Sequence, residues 1–359
     1  MRITVDSLIS KRIDKIISQF DEEGIDALLV TNPANVRYLS GFRGSQASLY
    51  LVKGKRFLIT DFRYALQAKK EAKGFKIKLV NGSFFESIGE LAKVLKTGRL
   101  GFEYKHLTYG EHDQIKRQLA GIDFMPTFGL VEKFRQVKDP YEIGLIKDSI
   151  AILKNAVSYF KSILKPGLTE SDLAVEMEHF IKATSGERSS FEVIIASANN
   201  SAFPHAKPTR RKVKSNDMVL LDLGINYNGY NSDLTRIFFL GKITNKAKKI
   251  YNIVKEAQRR CLKSIQPGIR ISKIDWIARD FINKKGFGNY FGHALGHGIG
   301  LEVHEEPPIS HKNHAILKPG MVFTIEPAIY LPNWGGIRLE DMVLVTPKGC
   351  EILTDDIDK

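Results

Sequence analysis

Two cysteines in 359 residues, Cys261 and Cys350, stand far apart and outside any Cys-x-x-Cys spacing. That excludes a disulfide framework and a zinc ribbon, and both read as small core residues. No apolar run approaches the roughly 18 residues that a bilayer-spanning helix needs, so no membrane partner is expected. The segment from Met1 to Arg12 leads into an amphipathic helix and lacks the apolar core of a signal peptide, which makes the cytoplasm the expected location. A basic tail is also missing. The formal net charge is +14, but the lysines and arginines are spread widely. Their densest cluster, Arg210, Arg211, Lys212 and Lys214, reads as a solvated loop, so nucleic acid is not the expected partner.

What remains is an ordinary globular composition, 43% hydrophobic and 26% charged, in a chain longer than one typical domain. Residues 1 to about 131 alternate strand-like runs (Ala27 to Val30, Ala47 to Val52, Arg56 to Thr60, Lys76 to Val80) with helical periodicity (Tyr64 to Lys73, Glu86 to Thr97, Glu111 to Ala120). This predicts an α/β domain with no catalytic constellation. Asn32 to Phe42 reads as a turn followed by a strand.

A boundary falls near Val131 to Pro140, giving domains 1–131 and 132–359. Asp139 and Pro140 are good helix-entry residues for a long helix from about Tyr141 to Leu164. From there the chain repeats itself: helix, Pro166-Gly167, second helix, strand and acid, against helix, Pro267-Gly268, second helix, strand and acid. Asp222 lies 56 residues after Pro166 and Glu326 lies 59 after Pro267. A glycine-containing turn and a second acid, Asp233 or Glu340, follow in each half. A duplicated α+β domain with four carboxylates meeting at a pseudo-two-fold axis is the consequence.

Asp222 and Glu326 interrupt Met-Val-Leu-Leu-Asp-Leu and Met-Val-Phe-Thr-Ile-Glu, segments that otherwise read as buried strands. A buried, unpaired carboxylate is costly, and metal coordination is one of the few arrangements that compensates. If Asn228-Gly229 is a two-residue hairpin turn, Tyr227 faces Tyr230 and Asp222 lies opposite Thr235. Asp222 and Asp233 are then diagonal neighbours on one face, with Cα atoms roughly 7–8 Å apart. The register of Glu326 and Glu340 cannot be deduced across their longer loop. Four clustered acids would repel, and two divalent ions about 3.5–4 Å apart would offset that charge.

His293, His297 and His304 lie within twelve positions, and His205 stands in Phe203-Pro204-His205-Ala206. Four glycines from Gly292 to Gly300 argue against a helix there and for an extended segment with backbone close to a neighbour. Carboxylates with one imidazole suit Mn²⁺, Fe²⁺, Co²⁺ or Zn²⁺.

Asp222, Ser232-Asp233-Leu234-Thr235-Arg236, Gly296-His297-Gly298-Ile299-Gly300-Leu301 with Val303-His304-Glu305, Ile325-Glu326-Pro327 and Gly335-Gly336-Ile337-Arg338-Leu339-Glu340-Asp341 closely resemble the Xaa-Pro peptidase family. This is the prolidase and aminopeptidase P branch of the pita-bread metallopeptidases, and residues 1–131 resemble its creatinase-type N-terminal domain. The resemblance implies two divalent metal ions, Mn²⁺ foremost with Co²⁺ or Zn²⁺ as substitutes. It implies that Asp222 chelates one ion, His297 belongs to the other, and Asp233 and Glu340 bridge them. By the same resemblance Glu326 is both ligand and base for a metal-bridging water. His205, His293 and His304 bind substrate or stabilise the tetrahedral intermediate, and Arg338 supports the site as a further substrate-binding residue. Proline-containing peptides are the implied partners and a homodimer the implied assembly, with Tyr38 to Arg43 at its interface.

Two positions depart from the family pattern. Ala328 replaces the usual glycine after Glu326-Pro327, which costs backbone freedom if a positive φ is needed there. Pro308 stands where many prolidases carry an arginine for the free carboxylate of a dipeptide, and this makes action on longer peptides at least as well supported. The alternative reading is a relative that has lost its metal and binds nucleic acid, ribosomes or histones; all five ligand positions are intact, which speaks against it.

Overall fold

The computed structural model describes residues 5–185 and 188–357. It divides into two compact units, Met1–Arg135 and Gln136–Lys359.

The first unit is built on a six-stranded mixed sheet in the order Lys76–Leu79, Lys55–Thr60, Ala47–Val52, Ala27–Val30, Arg99–Glu103, Asp123–Thr127. Helices Phe84–Val94 and Tyr109–Gln118 each begin with a capping box, Ser83 with Glu86 and Thr108 with Glu111. They bury Ile88, Leu91, Ile115 and Leu119 against Leu29, Tyr50, Ile59 and Leu100. Two strands lacked a sequence signal. Arg99–Glu103 contains a glycine and ends on a buried acid, and Asp123–Thr127 contains Pro126, which is tolerated because the strand lies at the sheet edge. The segment from Asn32 to Phe42 is not a turn and strand. Pro33–Ser40 is a helix that Asn32 caps by accepting from Ala34 N at 2.8 Å, and Asn-Pro is an N-cap and first-turn pair, so the turn signal was a helix start.

The second unit is duplicated, as expected from the pita-bread resemblance. Its first half holds helices Pro140–Ile163 and Glu170–Ser185 and the antiparallel strands Ile194–Ser197, Met218–Leu223 and Leu234–Phe239. The second repeats them as helices Asn245–Ser264 and Ile271–Lys284 and strands Gly296–Gly298, Val322–Ile325 and Asp341–Thr346. Even the clasp between each helix pair and its sheet recurs. Gly167 N donates to Val213 O and Val213 N to Leu168 O, while Gly268 N donates to Leu317 O and Leu317 N to Ile269 O. Asp139 caps Pro140–Ile163 with a reciprocal Glu142, which is why this long helix starts where Asp-Pro predicts.

Each helix pair covers one face of its own strands. Leu153, Phe160 and Met177 pack on Val219, Leu221 and Leu223, and Val254, Ile274 and Ile282 pack on Phe323, Ile325 and Val343. Because side chains alternate along a strand, Asp222 points to the face opposite Leu221 and Leu223, and Thr324 and Glu326 to the face opposite Phe323 and Ile325. The uncovered faces carry the acids. Ala328 lies in an extended strand paired with Arg338 and is absent from the positive-φ residues, so losing the usual glycine there imposes no backbone strain.

Candidate metal centre

The hairpin around Asn228-Gly229 has φ of 45° and 79° at those residues, a type I′ turn, and it pairs Tyr227 with Tyr230 and Asp222 with Thr235. This is the register expected from the dipeptide. Asp233 thus falls two residues from Asp222's partner and on the same face. In the second hairpin Ile325 pairs with Asp341 and Ala328 with Arg338, which brackets Glu326 and Glu340 directly opposite each other. The two acid pairs are therefore diagonal in one half and face to face in the other.

The glycines near His297 have a steric reason. A Cβ at Gly296 would stand 2.0 Å from the Thr324 carbonyl oxygen, so only glycine lets this strand press against Val322–Ile325. That approach puts His297 Nε2 3.4 Å from Glu326 Oε1 and 3.6 Å from Asp233 Oδ2. One ligating atom from each of Asp233, His297 and Glu340 lies within 4.8 Å of the others. The imidazole is oriented by its other nitrogen, since Nδ1 is 3.1 Å from Gly298 O, and a carbonyl can only accept. Nδ1 therefore carries the proton and Nε2 offers a lone pair toward the acids.

Arg338 organises the remaining polar groups. Nη2 donates to Asp222 Oδ2 at 2.5 Å, Nε to Thr235 Oγ1 at 2.9 Å, and Nη1 to Tyr330 Oη at 2.6 Å and to Pro204 O at 3.0 Å. Thr235 Oγ1 in turn donates to Glu340 Oε2 at 2.7 Å. Thr324 Oγ1 accepts from His297 N and donates to Glu326 Oε1, both at 3.1 Å. Beneath the acids, Gln258 donates to the carbonyls of Ile325 and Leu339, the residues just before Glu326 and Glu340. Arg236 binds Asp341 Oδ1 and the Glu340 carbonyl.

Among the sequence-derived residues, the structure brings Asp222, Asp233, His297, Glu326, Glu340 and Arg338 together. The His304 ring lies tilted at 51°, with its centroid 4.2 Å from that of His297, and His293 lies 5.8 Å from the Tyr330 ring. His205 is exposed, one residue from the Pro204 carbonyl that Arg338 holds. Sequence reasoning did not single out Thr324, Tyr330 or Gln258 as functional. Thr324 could have been found: it is a polar residue in an apolar strand, two positions before Glu326 and so on the same face.

Electrostatics say what the cluster lacks. Burial and mutual repulsion push the Asp233 and Glu340 carboxyls well above the usual range. Burial raises Glu326 to about 7 and raises Asp222 despite the Arg338 guanidinium beside it. Burial has the reverse effect on imidazoles and lowers His293 and His297 to about 4. Asp222 Oδ1 is buried with no hydrogen-bond partner among the described residues. Four carboxylates and a correctly oriented imidazole, with one carboxylate oxygen left unsatisfied, fit divalent cations and the oxygen and nitrogen donors they prefer.

Comparison with known proteins bears on this centre. Residues 144–347 match Metallopeptidase family M24, and residues 12–137 match the Creatinase/Prolidase N-terminal domain. The chain is 36% identical over 348 residues to the Xaa-Pro dipeptidase of Pyrococcus furiosus, covering 96% of this chain and 98% of the relative. Among solved structures, an Xaa-Pro dipeptidase from Bacillus anthracis is similar with a TM-score of 0.95 at 39% identity, covering 98% of this chain and 99% of that one. An X-Pro aminopeptidase from Thermotoga maritima is similar with a TM-score of 0.88 at 37% identity, covering 96% and 97%.

Proposed function

The chain belongs to metallopeptidase family M24 and carries a creatinase/prolidase-type N-terminal domain, and from that premise we propose that it hydrolyses Xaa-Pro bonds with two divalent ions. The observation that carries this reading is the convergence of Asp233, His297 and Glu340 within 4.8 Å, with Glu326 3.4 Å from the same imidazole.

Asp222, Asp233, His297, Glu326 and Glu340 would hold the ions, Mn²⁺ first and Co²⁺ or Zn²⁺ as substitutes. Ions bound there would polarise the scissile carbonyl and acidify a water, which matters for a tertiary amide with no N–H by which an extended-backbone site could align it. Glu326, which accepts from Thr324 Oγ1 at 3.1 Å and lies 3.4 Å from His297 Nε2, would take a proton from that water and return it to the departing proline nitrogen. His297 keeps its Nε2 lone pair toward the acids through Gly298 O. His293, neutral at pH 7 and with Nε2 buried and unpartnered among the described residues, offers a lone pair to a substrate donor. His205 and His304 at the exposed rim stabilise the developing oxyanion. Arg338 aligns Asp222 through its bond to Oδ2 and opposes the burial that raises that carboxyl.

Both relatives called dipeptidases and one called an aminopeptidase share this architecture, so the names leave chain length open. Pro308 is exposed and supplies no charge for a dipeptide's carboxylate, and its carbonyl accepts from Asn313. The proposed substrate range therefore covers Xaa-Pro dipeptides and longer peptides with proline second. The reading includes a cytoplasmic homodimer; among the described residues no helix is long and apolar enough to cross a membrane.

The test compares an Xaa-Pro dipeptide with an Xaa-Pro-Yaa tripeptide under Mn²⁺, Co²⁺ and Zn²⁺, alongside metal content of the purified protein. Cleavage confined to the bond before proline is expected. A protein that binds none of the three metals and cleaves neither peptide overturns the reading in favour of a metal-free binding protein.

A further inference from the structure

Helix Ile271–Lys284 carries an ion pair outside the metal centre that reaches back into it. Asp275 is fully buried, and Arg279 forks onto it with Nε to Oδ2 and Nη2 to Oδ1, both at 2.8 Å. The remaining guanidinium donors go to backbone carbonyls. Nη1 donates to Phe291 O and Nη2 to His293 O, each at 2.9 Å, and the guanidinium carbon lies 4.5 Å over the Phe291 ring. Asp275 Oδ1 also accepts from Leu295 N at 3.2 Å.

The chain bends at His293 and Leu295, and the carbonyls of Phe291 and His293 and the N–H of Leu295 all turn toward this one pair. A helix occupies the place where a neighbouring strand would supply hydrogen bonds, and buried backbone groups must be satisfied somehow. The ion pair does this with side chains. Phe291 and Leu295 are thus both fixed through their backbone, Leu295 a second time because its carbonyl accepts from Glu326 N at 2.8 Å. Held between them is His293, whose Nδ1 is 2.7 Å from Ala294 O and whose Nε2 is buried with no partner among the described residues.

We infer that the Asp275–Arg279 pair is a positioning device for His293: it sets the backbone on either side of that imidazole and thereby governs how substrate is engaged. The inference rests on the peptidase reading only for the identity of the substrate. Arginine is required for its geometry, since lysine has three donors on a single nitrogen and cannot make the four bonds that the guanidinium spreads over three nitrogens.

The decisive variant is Arg279→Lys, which keeps the charge. Losing the carbonyl bonds is expected to raise KM for Xaa-Pro substrate about tenfold with kcat changed less than about threefold. In a His293→Ala background the same change should alter KM less than about twofold, because the residue through which it acts is gone. Independent contributions that simply add would overturn the inference. A second readout needs no substrate: the ring ¹⁵N resonances of His293 should shift in Arg279→Lys while those of His297 stay in place. Unmoved His293 resonances also overturn it. If Arg279→Lys does not fold, Asp275→Asn takes its place, since it retains the acceptor for Leu295 N and weakens the fork. Shifted resonances in a protein with no Xaa-Pro cleavage would count against the peptidase reading alone.

Discussion

Arg338 and Asp222 share one hydrogen bond and divide one carboxylate: Oδ2 receives the guanidinium at 2.5 Å, and Oδ1 is buried with nothing bound to it among the described residues. The guanidinium also holds Thr235, which holds Glu340, so one side chain ties a carboxylate of the first hairpin to a carboxylate of the second. It neutralises part of the acid cluster and leaves Asp222 Oδ1 without a hydrogen bond among the described residues.

Arg338→Met should therefore separate metal-free from metal-loaded stability. Breaking a buried pair by removing one partner costs about 3–5 kcal/mol, and that cost falls on the metal-free protein. Bound Mn²⁺ replaces the missing positive charge and offsets part of the loss. Urea unfolding with chelator and with excess Mn²⁺ measures both; equal losses in the two conditions would contradict the shared-carboxylate arrangement.

Glu326→Gln removes a proton acceptor while keeping size and one oxygen. A drop in kcat of about 10²–10⁴-fold is expected, with melting temperature little changed. Asp233→Asn should abolish turnover differently, by lowering bound Mn²⁺ per chain, since its carboxylate sits between His297 and Glu340. Metal analysis and single-turnover kinetics distinguish the two, and full activity in either variant sinks the ligand assignment.

The first hairpin was legible because Asn-Gly dictates a two-residue turn, and one register then places Asp222, Thr235 and Asp233. The second was not. Its strands are joined through Pro332, Asn333 and Trp334, with Asn333 at φ 60°, and that loop carries no dipeptide rule from which the face-to-face pairing of Glu326 and Glu340 could follow. Helix Pro33–Ser40 was misread for a related reason, as Asn-Pro marks helix starts and turns alike. Asp275 and Arg279 gave no signal because an i,i+4 pair on a helix ordinarily reads as solvated surface. Its significance depends on the segment from Phe291 to Leu295, which only the fold brings there.

Lys138 and Glu305 form another buried pair at 3.1 Å, with side chains 1% and 4% exposed. Glu305 Oε1 also accepts from Glu302 N, closing the turn that contains His304. Lys138→Met should cost about 3–5 kcal/mol by leaving a buried carboxylate without its cation. Joining it with Glu305→Gln should recover part of the loss, and a double-mutant cycle in urea measures the coupling. Additive losses would show that the pair is not coupled.

The pH dependence of the metal-free protein follows from two opposed sets of groups. Asp222, Asp233, Glu326 and Glu340 have raised pKa values, so the folded state holds protons that the unfolded chain, titrating near about 4, has released. Stability from these groups falls as pH rises, through about 7 for Glu326 and in the same direction for Asp233 and Glu340. His293 and His297, lowered to about 4, and His304, lowered as well, act in the opposite sense. The unfolded chain binds their protons up to about 6.5, so their contribution rises with pH until then and is flat beyond it. Below about 6.5 the two sets oppose each other; above it only the acids act. The chelator-treated protein should lose melting temperature from pH 6.5 to 8. Glu103 in the first unit, raised to about 7 by burial, contributes to that slope with or without metal, so it cancels in the difference between the two conditions. Since cations compete with protons for the same oxygens, the Mn²⁺-induced rise in melting temperature should widen over this interval. Melting curves with chelator and with Mn²⁺ across the pH range check both trends, and a gap that narrows toward pH 8 would show that the raised carboxylates are not the ones that bind the ion.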